Sequence, residues 1–451
     1  MNDRSRRYIY PGLVLSVLNV HAAFAQTIPA PDPEVGRIVA EISRDNIRRT
    51  VDRLVGFGTR HTLSDTMSDT RGIGAARRWI ESEFRRIAAG SGGRMSVARF
   101  DADIPASRRL KRAARVVDIV ATFKGRDPDR VFVLGAHYDS RNSDGMDETR
   151  DAPGANDDGS GIAVVLECAR VLSAVDLNAT VVFIAFAGEE EGLLGSTAWV
   201  EMAKERHLRL DGMLNNDIVG SSRDGVGNTE SSFVRLFSQA FSPQDTGAVF
   251  RRRNALGLEN DGPSRNLARA ALDIAGRYVP AFGVKLVYRL DRFLRGGDHE
   301  PFHDRGYAAV RFCAAKENYD WQHQDVRTEA GKKFGDLPEN VDFDYCTNVA
   351  RVNAAVLADL ALAPESPPDA RIVAAGLGYG TQLQWGRGRG AFPRGYVVKY
   401  RETDAPVWQG GYFTADTTII LKESKDDYLF GVEAVGSSGA VSLPAIPTPF
   451  R

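Results

Sequence analysis

GAHYDS, residues 135–140, sets an imidazole and a carboxylate two positions apart, His137 and Asp139. AFAGEEEGLLGS (185–196) places Glu189, Glu190 and Glu191 side by side, and MLNNDIV (213–219) carries Asp217. PGANDDGSG (153–161) adds Asp157 and Asp158, and ENYDWQHQDVR (317–327) adds His323. Adjacent carboxylates repel and are costly where water is thin, so the EEE run needs full solvation or nearby positive charge. Two histidines with several acids, and no CxxC or Cys/His spacing, form a donor set that suits zinc, and less specifically cobalt or manganese. Two histidines and three acids hold two metals if one aspartate bridges, the ions then lying about 3.5–4 Å apart.

Something must bring these residues together. VVDIVATFK, VFVLGAH, TVVFIAFA, MLNNDIV and AAVRFCAA read as strands, and SGIAVVLECARVLSA between them as a helix. Near-continuous apolar strands alternating with helices predict an α/β domain with a mostly parallel central sheet flanked by helices. His137, Glu189 and Asp217 each follow or end a strand, and ligands of open α/β sheets bind at the carboxyl ends of the strands. PGANDDGSG opens a helix near Gly161, so one aspartate can cap that helix while its neighbour turns toward the same edge. Residues 36–90 show helical spacing, and VDFDYCTNVARVNAAVLADLALA (341–363) makes a closing helix. PESPPDA (364–370) reads as a linker, and 371–451 as an all-β sandwich.

Residues 1–25 read as an export signal. Arg4, Arg6 and Arg7 precede an apolar GLVLSVLNV, and Ala23-Phe24-Ala25 gives a small-x-small cleavage pattern, so cleavage is expected after Ala25. A Pro-rich leader (26–35) follows, and the destination is periplasmic or extracellular. Removing three arginines and one aspartate takes the formal charge from −1 to −3, which argues against nucleic acid as a partner. No later stretch approaches the ~20 apolar residues of a membrane span. Cys168, Cys313 and Cys346 fall in apolar patterns and read as buried free thiols, one disulfide with a leftover thiol being the alternative. His61 and His207 sit in polar, helix-flanking stretches and read as structural. His299 and His303, in GGDHEPFHD, stay open, with His299 weighed as a substrate contact against a loop-stabilising role.

In order and spacing, GAHYDS, PGANDDGSG, AFAGEEEGLLGS, NNDIVG, GGDHEPF and the late histidine resemble the zinc exopeptidases that include bacterial leucyl aminopeptidases, glutamate carboxypeptidase II and glutaminyl cyclases. The resemblance spans roughly 115–363 and implies two zinc ions per chain. It implies that His137 and Asp217 hold one metal, Glu190 and His323 the other, and that Asp157 bridges. Asp139 would orient His137, and Glu189 would be the general base on a metal-activated water. The family's usual tyrosine–histidine approach is replaced by Tyr319-Asp320-Trp321-Gln322-His323. Glu191 is expected at a solvated helix start, where negative charge is favoured. The implied activity is removal of N-terminal residues from peptides. Carboxypeptidase or dipeptidase action, glutaminyl cyclisation, two-metal phosphoester hydrolysis and a non-catalytic binding role are the alternatives. The specificity pocket is expected from 219–230 and 289–306, with Gly296, Gly297, Asp298 and Phe302 lining it. Residues 367–451 resemble a fibronectin type III domain, with Trp385 as the early-strand core tryptophan and Tyr428 leading the tyrosine-corner strand; a surface or polymeric partner would suit such a tail.

Overall fold

The computed structural model describes residues 30–375 and 378–450. The export signal expected over 1–25 lies outside the described residues. An eight-stranded mixed sheet organises the larger part of the chain: β1 (Met95–Ile104), β2 (Ala114–Phe123), β3 (Asp127–His137), β4 (Ala179–Phe186), β5 (Leu210–Asn216), β6 (Phe233–Phe237), β7 (Gly283–Val287) and β8 (Ala309–Cys313), in the order β1-β2-β4-β3-β5-β8-β6-β7. β4, β3, β5 and β8 run parallel in the middle. β1 and β2 are antiparallel additions at one edge, and β6 meets β8 antiparallel at the other.

The central strands are buried on both faces, which is why their sequences are almost wholly apolar. In β4, Val181, Phe183 and Ala185 join one core while Val182, Ile184 and Phe186 join the other. Helices α1 (Pro33–Ala40), α2 (Arg44–Val55), α3 (Gly72–Ala89) and α4 (Gly159–Leu172) pack the first face together with the closing helix Phe343–Leu362. α5 (Leu194–Glu205) and the short helix His299–Asp304 cover the second. β1, β6 and β7 are absent from the sequence reading for a physical reason. β1 alternates exposed and half-buried residues as an edge strand does, and β6 and β7 are only five residues each. Cys168, Cys313 and Cys346 are free and buried, and no described helix is long and apolar enough to cross a membrane.

Beyond Ala363, seven short strands from Arg371–Val373 to Thr448–Phe450 form sheets of four and three. Trp385 is buried against Tyr396, ring centroids 5.3 Å apart. The 364–370 stretch expected as a linker is packed down: Glu365 accepts from Arg389 N and pairs with Arg209, and Ser366 donates to Leu443 O. Val397, Val435 and Val441 belong to the same apolar core as α4. At the junction Asp261 accepts from both Arg269 and Arg401, all three essentially without solvent, and each guanidinium lies about 5.5 Å from the Trp408 ring centre. Asp261→Ala leaves two buried cations without their counterion, so it is expected to destabilise the whole chain by about 3–5 kcal/mol. A thermal melt followed by circular dichroism checks this; an unchanged midpoint contradicts it.

Candidate metal centre

The carboxyl ends of β3, β4 and β5 supply most of the cluster. His137 ends β3 and is buried, with Nδ1 3.2 Å from the main-chain oxygen of Asp139. Donation from Nδ1 leaves the Nε2 lone pair facing Asp157 Oδ1 at 3.2 Å and Asp217 Oδ1 at 3.9 Å, with no hydrogen bond. A buried lone pair aimed at carboxylate oxygens is repulsive unless a cation sits among them. Asp139 also holds the turn that follows β4: its Oδ1 and Oδ2 accept from the N–H groups of Glu189 and Glu190, at 3.3 and 3.0 Å.

Asp157 presents one oxygen to each histidine. Its Oδ1 faces His137, and its Oδ2 lies 2.9 Å from His323 Nε2 and accepts from Gln322 Nε2 at 2.9 Å. His323 Nε2 is in turn 2.9 Å from Glu190 Oε1, a buried atom without a hydrogen bond. Two donor groups result, His137–Asp157–Asp217 and Asp157–Glu190–His323, which share Asp157. Asp158, the neighbour, is the helix cap: its side chain accepts from Gly161 N and Ile218 N. Gly161 is obligatory there, since a Cβ would come within 2.3 Å of Asp158 Oδ2 and 2.4 Å of the Asn216 oxygen.

Electrostatics agree with a site made for cations. Burial opposes charge on His137, yet Asp139, Asp157 and Asp217 outweigh it and hold the imidazole well above its usual range. His323 is pushed up to about 10, burial again opposing and Glu190 and Asp157 prevailing. Protons and divalent cations compete for such lone pairs, and the imidazole–carboxylate set fits zinc. Glu189 lines the same cleft, its carboxyl held well above the usual range by burial and the charges of Asp217 and Glu190, with His137 pulling the other way.

Several contributors are not in the sequence reading. Arg311, buried in the middle of β8, sets Nη2 2.9 Å from Asp217 Oδ1 and pairs with Asp291. Asp336 accepts from the N–H groups of Asn156 and Asp157 at 2.9 and 2.7 Å. Arg60 clamps the loops from beneath, donating to the main-chain oxygens of Tyr138, Pro153 and Gly154. His323 adopts φ +54°, a left-handed conformation that non-glycine residues hold only under constraint from their surroundings. A third grouping, Asp291–His299–Glu300, already spends Asp291 on Arg311 and Arg292.

Two expectations are corrected. Glu191 is not at a solvated helix start: α5 begins at Leu194, and Glu191 is 3% exposed. Thr62 donates to its Oε2, and His61 Nε2 lies 3.1 Å from its Oε1, so His61, read as a polar flanking residue, helps tie the 59–64 segment to the glutamate turn. His61 Nε2 also has Gly145 O at 3.1 Å, so Glu191→Ala strands only the buried Thr62 hydroxyl; it is expected to lower stability by about 1–3 kcal/mol while zinc content is kept, and a melt and metal analysis on the same sample check it. His299 is the second. It is fully buried, its Nε2 donates to Leu290 O at 2.9 Å, burial lowers it to about 4, and it does not line the cleft. Of the expected pocket residues Gly296 lines the cleft, whereas Phe302 is stacked on Trp199 in the core, centroids 5.5 Å apart. The 289–306 segment does supply a wall, through Arg292, Leu294, Arg295 and Glu300.

Residues 118–330 match peptidase family M28, an interval that holds every residue of both donor groups. A probable zinc metalloprotease of Leptosphaeria maculans is 43% identical, the match covering 93% of this chain and 98% of that protein. Another, of Pyricularia oryzae, is 42% identical over 93% of this chain and 85% of its own length. Among solved structures, the LapA aminopeptidase of Legionella pneumophila superposes with a TM-score of 0.51 at 22% identity, over 72% of this chain and 75% of that one. An aminopeptidase of Aneurinibacillus sp. strain AM-1 gives 0.50 at 16% identity, over 72% and 95%. With relatives matched almost end to end, the chain belongs to peptidase family M28 and is a zinc-dependent peptidase.

Proposed function

We propose that the protein is a two-zinc aminopeptidase that removes N-terminal residues from peptides. The observation that carries the reading is Asp157, whose two oxygens face the two histidines of separate donor groups. His137 and Asp217 would hold one ion, Glu190 and His323 the other, and Asp157 both. Bound zinc supplies Lewis acidity that acidifies water and polarises the scissile carbonyl. Glu189 accepts the proton of the attacking water and returns it to the leaving amine, a task suited to a buried carboxyl whose affinity for protons is raised. Asp139 orients His137 and fixes the main chain of Glu189 and Glu190. Arg311 holds Asp217 in place. The choice of aminopeptidase over carboxypeptidase or dipeptidase is supported by the names of the two structural neighbours.

The basic segment at Arg4–Arg7 and the Ala23-Phe24-Ala25 pattern support export to the periplasm or beyond. For the tail we keep the fibronectin type III assignment and a surface-binding role, on the strength of its seven strands and buried Trp385. Chelation is expected to abolish hydrolysis of aminoacyl p-nitroanilides and added zinc to restore it, with N-blocked peptides refused. Cleavage of N-blocked but not C-blocked peptides would turn the assignment to carboxypeptidase.

A further inference from the structure

The cleft that contains Glu189 also gathers arginines from separate parts of the chain. Arg292 and Arg311 are committed, to Asp291 and Glu317 and to Asp217 and Asp291. Arg109, Arg141 and Arg295 also line the cleft, and none of the three forms an ion pair among the described residues. Arg109 comes from the β1–β2 connection and is exposed, Arg141 from the loop after β3, and Arg295 from the loop before the short helix at 299. Arg141 makes one side-chain hydrogen bond, from Nε to the oxygen of Asn142 at 3.3 Å, and Arg295 rests over the Tyr319 ring at 5.4 Å. Three like charges brought to one cavity repel, and their guanidinium forks are built to take carboxylates two bonds at a time.

The acids of the cleft do not answer them. Asp157, Glu190 and Asp217 are turned toward the histidines, and Glu189 is the base of the proposed reaction. Glu300 also forms no ion pair among the described residues; it is half-buried, and burial pushes it up to about 7. With the donor groups loaded, the unspent charge of the cleft is positive. Its volume, about 500 Å³, falls among small-ligand clefts, and Glu189 and the three arginines line the same cavity.

We infer that Arg109, Arg141 and Arg295 form an anion subsite, so that the enzyme selects peptides carrying a carboxylate close to the scissile bond. The inference rests on the aminopeptidase reading above, and the carboxylate comes from an acidic side chain or from the free C-terminus of a short peptide. The zinc-loaded full chain is assayed on Ala-Ala-Ala amide, on Ala-Glu-Ala amide and on Ala-Ala-Ala with a free C-terminus, which separates the two sources. One or both carboxylate peptides are expected to exceed the neutral amide by about 10- to 100-fold in kcat/KM. The combined variant Arg109→Gln/Arg141→Gln/Arg295→Gln is expected to bring the three within about threefold, and added salt to narrow the difference in the parent chain. Binding of the same peptides to zinc-loaded Glu189→Gln, with and without the three arginine changes, is measured by calorimetry. Selective binding without turnover in the parent chain upholds the subsite and counts against the aminopeptidase reading. Equal turnover and equal binding of neutral and carboxylate peptides overturns the subsite and leaves the peptidase reading standing.

Discussion

Glu189→Gln is expected to lower kcat by about 10²- to 10⁴-fold while zinc content and fold stay as in the parent. The substitution keeps volume and planarity, and the main-chain N–H of residue 189 still donates to Asp139. Only the capacity to accept a proton is lost. Glu189 belongs to neither donor group, so metal loading has no reason to change. KM should move little, because the interaction removed is one made as the proton transfers rather than on binding. Steady-state rates on an aminoacyl p-nitroanilide, with zinc measured on the same preparation, give the result. A kcat within about tenfold of the parent would remove Glu189 as the base.

Asp157→Ala should act on both donor groups at once. Each of its oxygens serves a different histidine, so its loss leaves His137–Asp217 and Glu190–His323 as two-residue remnants. Zinc is expected to fall from two per chain to below about one, with activity lost. A second readout separates lost metal from lost fold. A ligand at about 100 times its Kd stabilises the parent by about 2.7 kcal/mol, so zinc should raise the parent's melting temperature and leave that of Asp157→Ala unmoved. Retained circular dichroism in the zinc-free variant shows that the fold survives. Two bound zinc ions in Asp157→Ala would contradict the bridging assignment.

The parts of the site legible in the sequence share one property: polar residues interrupt apolar runs at the point where a strand ends. His137, Glu189 and Asp217 stand out because the residues before them are continuously buried. Arg311 left a weaker trace, one arginine inside AAVRFCAA, and a cation in a buried strand requires partners that only the fold identifies. Asp336 and Gln322 support Asp157 from 179 and 165 positions away, a distance that local pattern does not bridge. Glu191 reads from sequence as part of a helix start, whereas the helix begins three residues later, at Leu194. A turn through Gly188, Gly192 and Leu193, all at positive φ, intervenes and directs the third glutamate inward to Thr62 and His61. The packing of the tail is equally hidden, since Asp261, Arg269 and Arg401 look like ordinary surface charges until the strand Gly395–Glu402 brings Arg401 to Asp261 beside the helix Pro263–Tyr278.

The most direct test is anomalous diffraction at the zinc edge from crystals of the zinc-loaded full chain. Two peaks about 3.5–4 Å apart are expected, one among His137, Asp157 and Asp217 and the other among Asp157, Glu190 and His323. A single peak, or zinc at Asp291–His299–Glu300 instead, would contradict the two-ion centre.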